Sequence, residues 1–176
     1  MRRAAGLALY VALLAGIALV LLWYRGDFLP CRGERTSTLE LEGTEVTLAL
    51  RDASFTAAAS DTVLWQSAKN IRVQDFLSFV IDRDGTAELV LLAWRRGNYG
   101  PSRPFWVARN DTGWSQHIFI YNWQDGAPVP QWMSSGLRPQ VSRWAAQPDG
   151  QLYILTPQGE ETLWRWGQWG LVRTDL

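Results

Sequence analysis

From Leu39 onward the chain alternates apolar and polar residues with a period of two. It never holds the 3.6-residue period of an amphipathic helix for three turns. Leu39, Leu41, Val46, Leu48 and Leu50 fall on one side of an extended chain, with Gly43 at a turn between them, the pattern of a hairpin with one buried face. Thr56–Asp61 reads as a loop or one helical turn. Short strands then follow between turn signals at Thr62–Gln66, Phe76–Ile81, Ala87–Trp94, His117–Trp123, Val129–Met133, Leu152–Thr156 and Thr162–Trp166. The part after the amino-terminal segment is therefore expected to be all-β and antiparallel.

That amino-terminal segment is of another kind. After Arg2 and Arg3, the run Ala4–Tyr24 carries no charge and no polar stripe. As a helix rising about 1.5 Å per residue it spans roughly 30 Å, the thickness of a bilayer's hydrocarbon core. The bulky flank Leu22-Trp23-Tyr24 followed by Arg25 lacks the small residues of a cleavage site, so residues 1–24 read as an uncleaved transmembrane signal-anchor helix. The paired arginines keep the amino terminus inside, and Trp23 and Tyr24 suit the far interface. The reading is a single-pass protein of the cytoplasmic membrane, with a linker at 25–37 and an extracytoplasmic domain at 38–176.

Composition narrows the partners. The chain holds seventeen basic and seventeen acidic residues, and setting Arg2 and Arg3 aside leaves the exported part slightly acidic. That excludes the basic footprint of a nucleic-acid binder. The single cysteine, Cys31, excludes an intramolecular disulfide and a thiolate metal cage. Pro30 stands where a lipid-attachment motif needs a small residue, so lipidation is not expected. The eleven tryptophans are too many for a binding stripe and are expected to build the core.

An internal echo organises the domain. Val63-Leu64-Trp65-Gln66-Ser67 is repeated by Val129-Pro130-Gln131-Trp132-Met133-Ser134-Ser135, and the Asp84-Gly85 turn by Asp149-Gly150. With the unmatched segment Arg95–Gln116 removed, each unit is about forty-five residues, the length of a four-stranded propeller blade. Two units are expected, at about 62–128 and 129–176, behind the leading hairpin. Their blade-like antiparallel sheets form an incomplete propeller or a sandwich. The order of strands, and above all Ile81-Asp82-Arg83-Asp84-Gly85-Thr86-Ala87-Glu88-Leu89-Val90, resembles the FG-GAP and VCBS type of repeat found in exported β-propellers. That resemblance implies an acidic loop of the pattern D-x-D-x-D-G-x-x-D-L that ligates calcium and leads into a strand. Asp82, Asp84, Gly85 and Glu88 match it. Val80 stands at the family's first aspartate, and in the second unit only Asp149-Gly150 remains.

Asp82, Asp84 and Glu88 are the candidate metal ligands, for Ca²⁺, which takes six to eight oxygens. The competing reading is a turn in which Gly85 supplies a positive φ, the aspartates bond nearby backbone N–H groups and Glu88 pairs with Arg83. The second is preferred: a degenerate calcium loop retained as a turn, with no cofactor required.

The unmatched segment supplies the candidate ligand-binding residues Arg95, Arg96, Tyr99, Arg103 and Trp106. Arginine forks bind carboxylates and phosphates, and aromatic faces stack on sugars. The one histidine, His117, shares a strand face with Phe119, Tyr121 and Trp123 and reads as a packed, hydrogen-bonded residue. No second histidine, nucleophile elbow or phosphate loop appears. The expected function is a non-enzymatic binding and assembly module at the cell envelope, engaging a partner protein or an acidic or sugar polymer, with oligomerisation possible. The alternative is an accessory subunit or enzyme of envelope-polymer metabolism that uses the Asp/Glu cluster.

Overall fold

The computed structural model describes residues 2–31, 33–41, 43–97, 105 and 112–174, with side chains in the first helix described from Leu9. The chain divides into two compact units, Met1–Pro30 and Cys31–Leu176.

The first unit is the helix α1 (Arg2–Arg25) and its stop. The stop is a Schellman motif. Gly26 takes a positive φ of 73°, its N–H donates to the Trp23 carbonyl, and the Asp27 N–H reaches back to Leu22. Every described side chain from Leu9 to Arg25 is exposed. Among the described residues no helix is long and apolar enough to cross a membrane. Leu9–Tyr24 alone comes to about 24 Å of helix, short of the hydrocarbon thickness. The expected transmembrane segment is thus found as a helix, and its spanning role does not follow from the described part.

Among its described residues the second unit has twelve strands in three antiparallel four-stranded sheets, each a meander in chain order. The first sheet is β1 (Arg35–Leu41), β2 (Thr44–Arg51), β3 (Ser54–Ala59) and β4 (Thr62–Gln66). The second is β5 (Ile71–Phe79), β6 (Glu88–Arg96), β7 (Trp114–Gln124) and β8 (Ala127–Met133). The third is β9 (Arg143–Ala146), β10 (Leu152–Leu155), β11 (Glu161–Gly167) and β12 (Gly170–Thr174). Strand order in each sheet is sequential, and the sheets do not close on one another.

The second sheet is buried on both faces. Leu89, Leu91, Ala93, Phe119 and Tyr121 pack in one core with Val46, Leu48, Leu50, Phe55 and Ala57 of the first sheet. The intervening residues Val90, Leu92, Ile118 and Ile120 pack in a second core with Val141, Leu152 and Ile154. Successive side chains of a strand point to opposite faces, so a strand between two cores must be apolar at nearly every position. Glu88–Trp94 is buried throughout for that reason.

Several expectations are corrected. Thr56–Asp61 is not a loop but falls largely in β3, whose Phe55 and Ala57 alternate into the first core at 0 % exposure. Alanine is a poor strand former by itself, and here burial against the second sheet decides. The leading hairpin is consequently half of a full sheet, and its first strand starts inside the expected linker, at Arg35. Thr62–Gln66 and Val129–Met133 were expected to open units. They close the first and second sheets instead.

The echo nevertheless has a structural cause. The Ser67 N–H donates to the Phe55 carbonyl while its hydroxyl accepts from the Phe55 N–H, at 2.9 and 3.0 Å. Ser134 makes the same pair with Ile118, at 2.9 Å each. Each serine thus continues the hydrogen bonding one step beyond the last strand. The preceding tryptophans are equivalent too: Trp65 meets Tyr121 of the second sheet edge-on at 5.1 Å, and Trp132 meets Trp166 of the third at 6.0 Å.

A polar seam ties the layers at the bulge in β5, where the register shifts between Val73 and Asp75. Asp75 accepts from Arg35 of the first sheet at 3.2 Å and from the Trp144 indole of the third at 2.7 Å. Gln74 accepts from Trp94 and Gln116, at 2.8 Å each. Extra backbone at a bulge re-aims side chains, and here it sends two consecutive polar groups toward different partners.

Candidate functional site

The connection from β5 to β6 carries the acidic turn. Gly85 has φ 95° and Arg83 φ 68°, so the reversal uses the left-handed region that glycine enters without strain. Asp82 accepts from the Asp84 N–H at 3.1 Å, and Asp84 from the Thr86 N–H at 2.7 Å. Each carboxylate therefore closes an Asx-turn on the backbone two residues ahead. Asp149 does the same to the Gln151 N–H in the turn between β9 and β10. The two Asp-Gly turns lie side by side. A Cβ on Gly150 would stand 2.9 Å from the Val80 carbonyl oxygen and 3.7 Å from the Arg83 side chain. Arg83 and the hydrogen bonds from Gln151 hold the Asp149 carboxyl below its usual range, the Gln151 bonds contributing most. The expected Glu88–Arg83 pair is thus replaced: Arg83 lies over the neighbouring turn.

Glu88 is different in kind. It is 2 % exposed, and its carboxylate accepts from the Ile81 N–H at 2.8 Å. Burial raises its pKa to about 7, with smaller contributions from the charges of Asp82 and Asp84. The first strand residue of β6 thus holds a carboxyl at the edge of the second core. Ligand oxygens of Asp82, Asp84 and Glu88 lie within 4.8 Å of one another. Two oxygens that bind one Ca²⁺ at about 2.4 Å can be no farther apart than about 4.8 Å, so the spacing fits a shared ion.

A second observation agrees with that fit. Asp84 and Glu88 line a cavity of about 140 Å³ together with Asn122 of β7. The Asn122 Oδ1 is shut off from solvent and has no hydrogen-bond partner. A neutral oxygen left in that state costs free energy. Three carboxylates and one amide oxygen are donors of the type that Ca²⁺ takes, and they are fewer than its six to eight. Val80, at the position of the missing aspartate, contributes no side-chain oxygen.

The arginine- and aromatic-rich segment is only partly described. Tyr99, Arg103 and Trp106 lie outside the described residues. Arg95 and Arg96 end β6: an Arg95 Nη donates to the Met133 sulfur at 3.3 Å, and the Arg96 Nε donates to the Thr112 carbonyl at 3.0 Å. Both guanidinium groups are thus engaged with their own sheet and its continuation.

His117 is buried, as its aromatic strand face implied, at 1 % exposure. Its Nδ1 lies 2.9 Å from the Ser134 carbonyl, which can only accept, so Nδ1 carries a proton. Burial lowers its pKa, the neighbouring Arg95 charge adds to that, and the bond to Ser134 opposes both. Its Nε2 is then free to accept from the Ser115 hydroxyl at 2.8 Å. The sequence reading passed over this pair, although Ser115 and His117 sit two residues apart on one strand face. The signal was present in the Ser-x-His spacing, but that spacing is common in strands and carries no chemistry until burial and tautomer are known.

No family model, no curated protein and no solved structure matches this chain.

Proposed function

We propose that this chain is a membrane-anchored, extracytoplasmic β-domain that serves as a non-enzymatic binding and assembly module at the cell envelope. Its blade-like sheets are of the FG-GAP and VCBS kind, and its acidic turn is a weak Ca²⁺ site formed by Asp82, Asp84, Glu88 and the Asn122 amide oxygen. Arg2, Arg3 and the uncharged run to Tyr24 support the anchor and its orientation.

One observation carries the assembly reading. Among the described residues the second sheet has a core on each face, whereas the third sheet has a core on one face only. Leu171 packs toward the second sheet, so Val172, next along the strand, points away, as do Leu163, between Thr162 and Trp164, and its cross-strand partner Tyr153. Val172 is 49 % exposed, and none of these three belongs to either core. That face is mixed, since Arg143, Glu161, Arg165 and Thr174 share it, and its apolar residues are the ones that a partner layer would cover.

The test is the mass of the full chain in detergent micelles, by light scattering with the detergent contribution subtracted. The expected result is an oligomer, converted to monomer by Leu163→Glu without loss of β-sheet circular dichroism. A wild-type chain that is monomeric at every concentration up to about 100 µM, where micromolar association saturates, refutes the assembly reading.

A second reading, an accessory subunit or enzyme of envelope-polymer metabolism, draws on the same convergence of Asp82, Asp84 and Glu88 and on a Glu88 pKa near neutrality. It ranks below the first on size. A cavity of about 140 Å³ holds a handful of waters at about 30 Å³ each, enough for a hydrated ion and too little for a polymer residue.

A further inference from the structure

The three sheets stack in one sense. Trp65, on the last strand of the first sheet, meets Tyr121 of the second, and Trp132, on the last strand of the second, meets Trp166 of the third. Each sheet thus turns the equivalent face to the sheet that follows. The first strands also gather at one seam, where Asp75 of β5 joins Arg35 of β1 to Trp144 of β9. Units stacked by one repeated relation have two unlike ends, which stay open until a further unit continues the relation.

The two ends are complementary. The outer face of the first sheet carries the residues that alternate with its core positions, and Thr38, Thr47, Ala49, Thr56 and Ala58 are all small. Glu40 and Glu45 stand directly opposite each other on that face, both exposed, and outnumber Arg51. Like charges so placed repel, and neither has an ion pair among the described residues. The outer face of the third sheet carries the larger Tyr153, Leu163 and Val172, and its Arg143 and Arg165 outnumber Glu161. Arg165 is exposed and also lacks an ion pair among the described residues. Large side chains interdigitate with small ones, and a face rich in cations suits one rich in carboxylates.

We infer that two copies of this chain close head to tail, the third sheet of each lying on the first sheet of the other. Propeller rings hold about four to eight four-stranded blades. Two copies of three sheets make six, inside that range, and three copies make nine, outside it. Area also favours closure. A face of four strands, each about five residues long, measures about 19 by 17 Å at about 4.8 Å between strands and about 3.3 Å per residue. The two junctions of a closed pair cover four such faces, about 1,300 Å², within the range of about 1,200–2,000 Å² for stable interfaces, and a single junction covers half of that. The inference rests on the assembly reading above and names its partner.

The experiment weighs the full chain in detergent micelles by light scattering, with micelles in excess over chains. The parent is expected to have the mass of two chains. Thr47→Arg blocks the first-sheet face and Leu163→Glu the third-sheet face. Each alone is expected to be a monomer with the parent's β-sheet circular dichroism. Mixed in equal amounts they are expected to recover the mass of two chains, because each keeps the face that the other has lost. Ala49→Arg, on the same face as Thr47, is a second block and is expected to behave like the first. A parent of three or more chains overturns the two-copy ring. If Thr47→Arg and Ala49→Arg still pair while Leu163→Glu does not, the third face pairs with itself; the inference is then wrong and the assembly reading stands. A monomeric parent refutes both, and a mixture that stays monomeric overturns the head-to-tail contact.

Discussion

Replacing Glu88 by glutamine tests the physics of the acidic turn most directly, because the result depends on pH and on calcium in opposite ways. In the folded protein the Glu88 carboxyl titrates near pH 7, against an ordinary value of 4.5, chiefly because it is buried. Below pH 4.5 the group is protonated in both folded and unfolded chains and contributes no penalty. As pH rises from about 4.5 to about 7, the unfolded chain releases this proton and the folded chain keeps it. Stability falls across that window and levels off above it. A displacement of this size is worth about 3 kcal/mol at about 1.4 kcal/mol per unit.

Glutamine keeps an oxygen to accept the Ile81 N–H and removes the charge. In calcium-free buffer, Glu88→Gln is therefore expected to match the parent at pH 4.5 and to exceed it by about 3 kcal/mol at pH 7.5. Urea midpoints followed by tryptophan fluorescence read this as a difference of about 1–2 M. All other carboxylates titrate in both proteins and cancel in the comparison. Calcium reverses the order. An ion at a hundred times its dissociation constant stabilises the parent by about 2.7 kcal/mol, and the variant, short of one charged ligand, gains little. A Glu88→Gln chain less stable than the parent at pH 7.5 without calcium refutes the burial argument. A parent midpoint unmoved by millimolar calcium refutes the ion.

Two further outcomes follow from the packing and from the flanks of the helix. Gly170 has φ 131°, and a Cβ there would stand 2.3 Å from the Trp132 indole nitrogen, so Gly170→Ala must displace the ring that meets Trp166. It is expected to cost about 1–3 kcal/mol, measured as a lowered urea midpoint, and an unchanged midpoint would show that this contact between the second and third sheets is slack. Protease added to intact spheroplasts is expected to digest the chain after Arg25 and spare the residues before it, read by mass spectrometry of the membrane fraction; protection of the carboxyl-terminal residues refutes the proposed orientation.

The strand alternation around Leu39–Leu50 and the apolar run Leu89–Trp94 made an antiparallel β-domain legible, because side-chain direction along a strand is a local property. The Asp-Gly turns were legible for the same reason: a positive φ is a demand on one residue, and the residue type records it. So was the Trp-x-Ser echo, which proved to mark the hydrogen bonds of Ser67 and Ser134. What could not be read was where one sheet stops and the next begins. β4 and β8 look the same in sequence whether they open a sheet or close one, since that choice lies in pairing with β3 and β7 rather than in either strand alone. Ala57 shows the same limit, its place in a strand being decided by Leu48 across the sheet and by the core beyond. The site divides in the same way. The sequence by itself determined that Asp82, Asp84 and Glu88 stand close together on a tight turn. Only the tertiary structure buried Glu88 and left the Asn122 oxygen without a partner beside it, because desolvation and convergence depend on what lies opposite, and sequence distance carries no record of that.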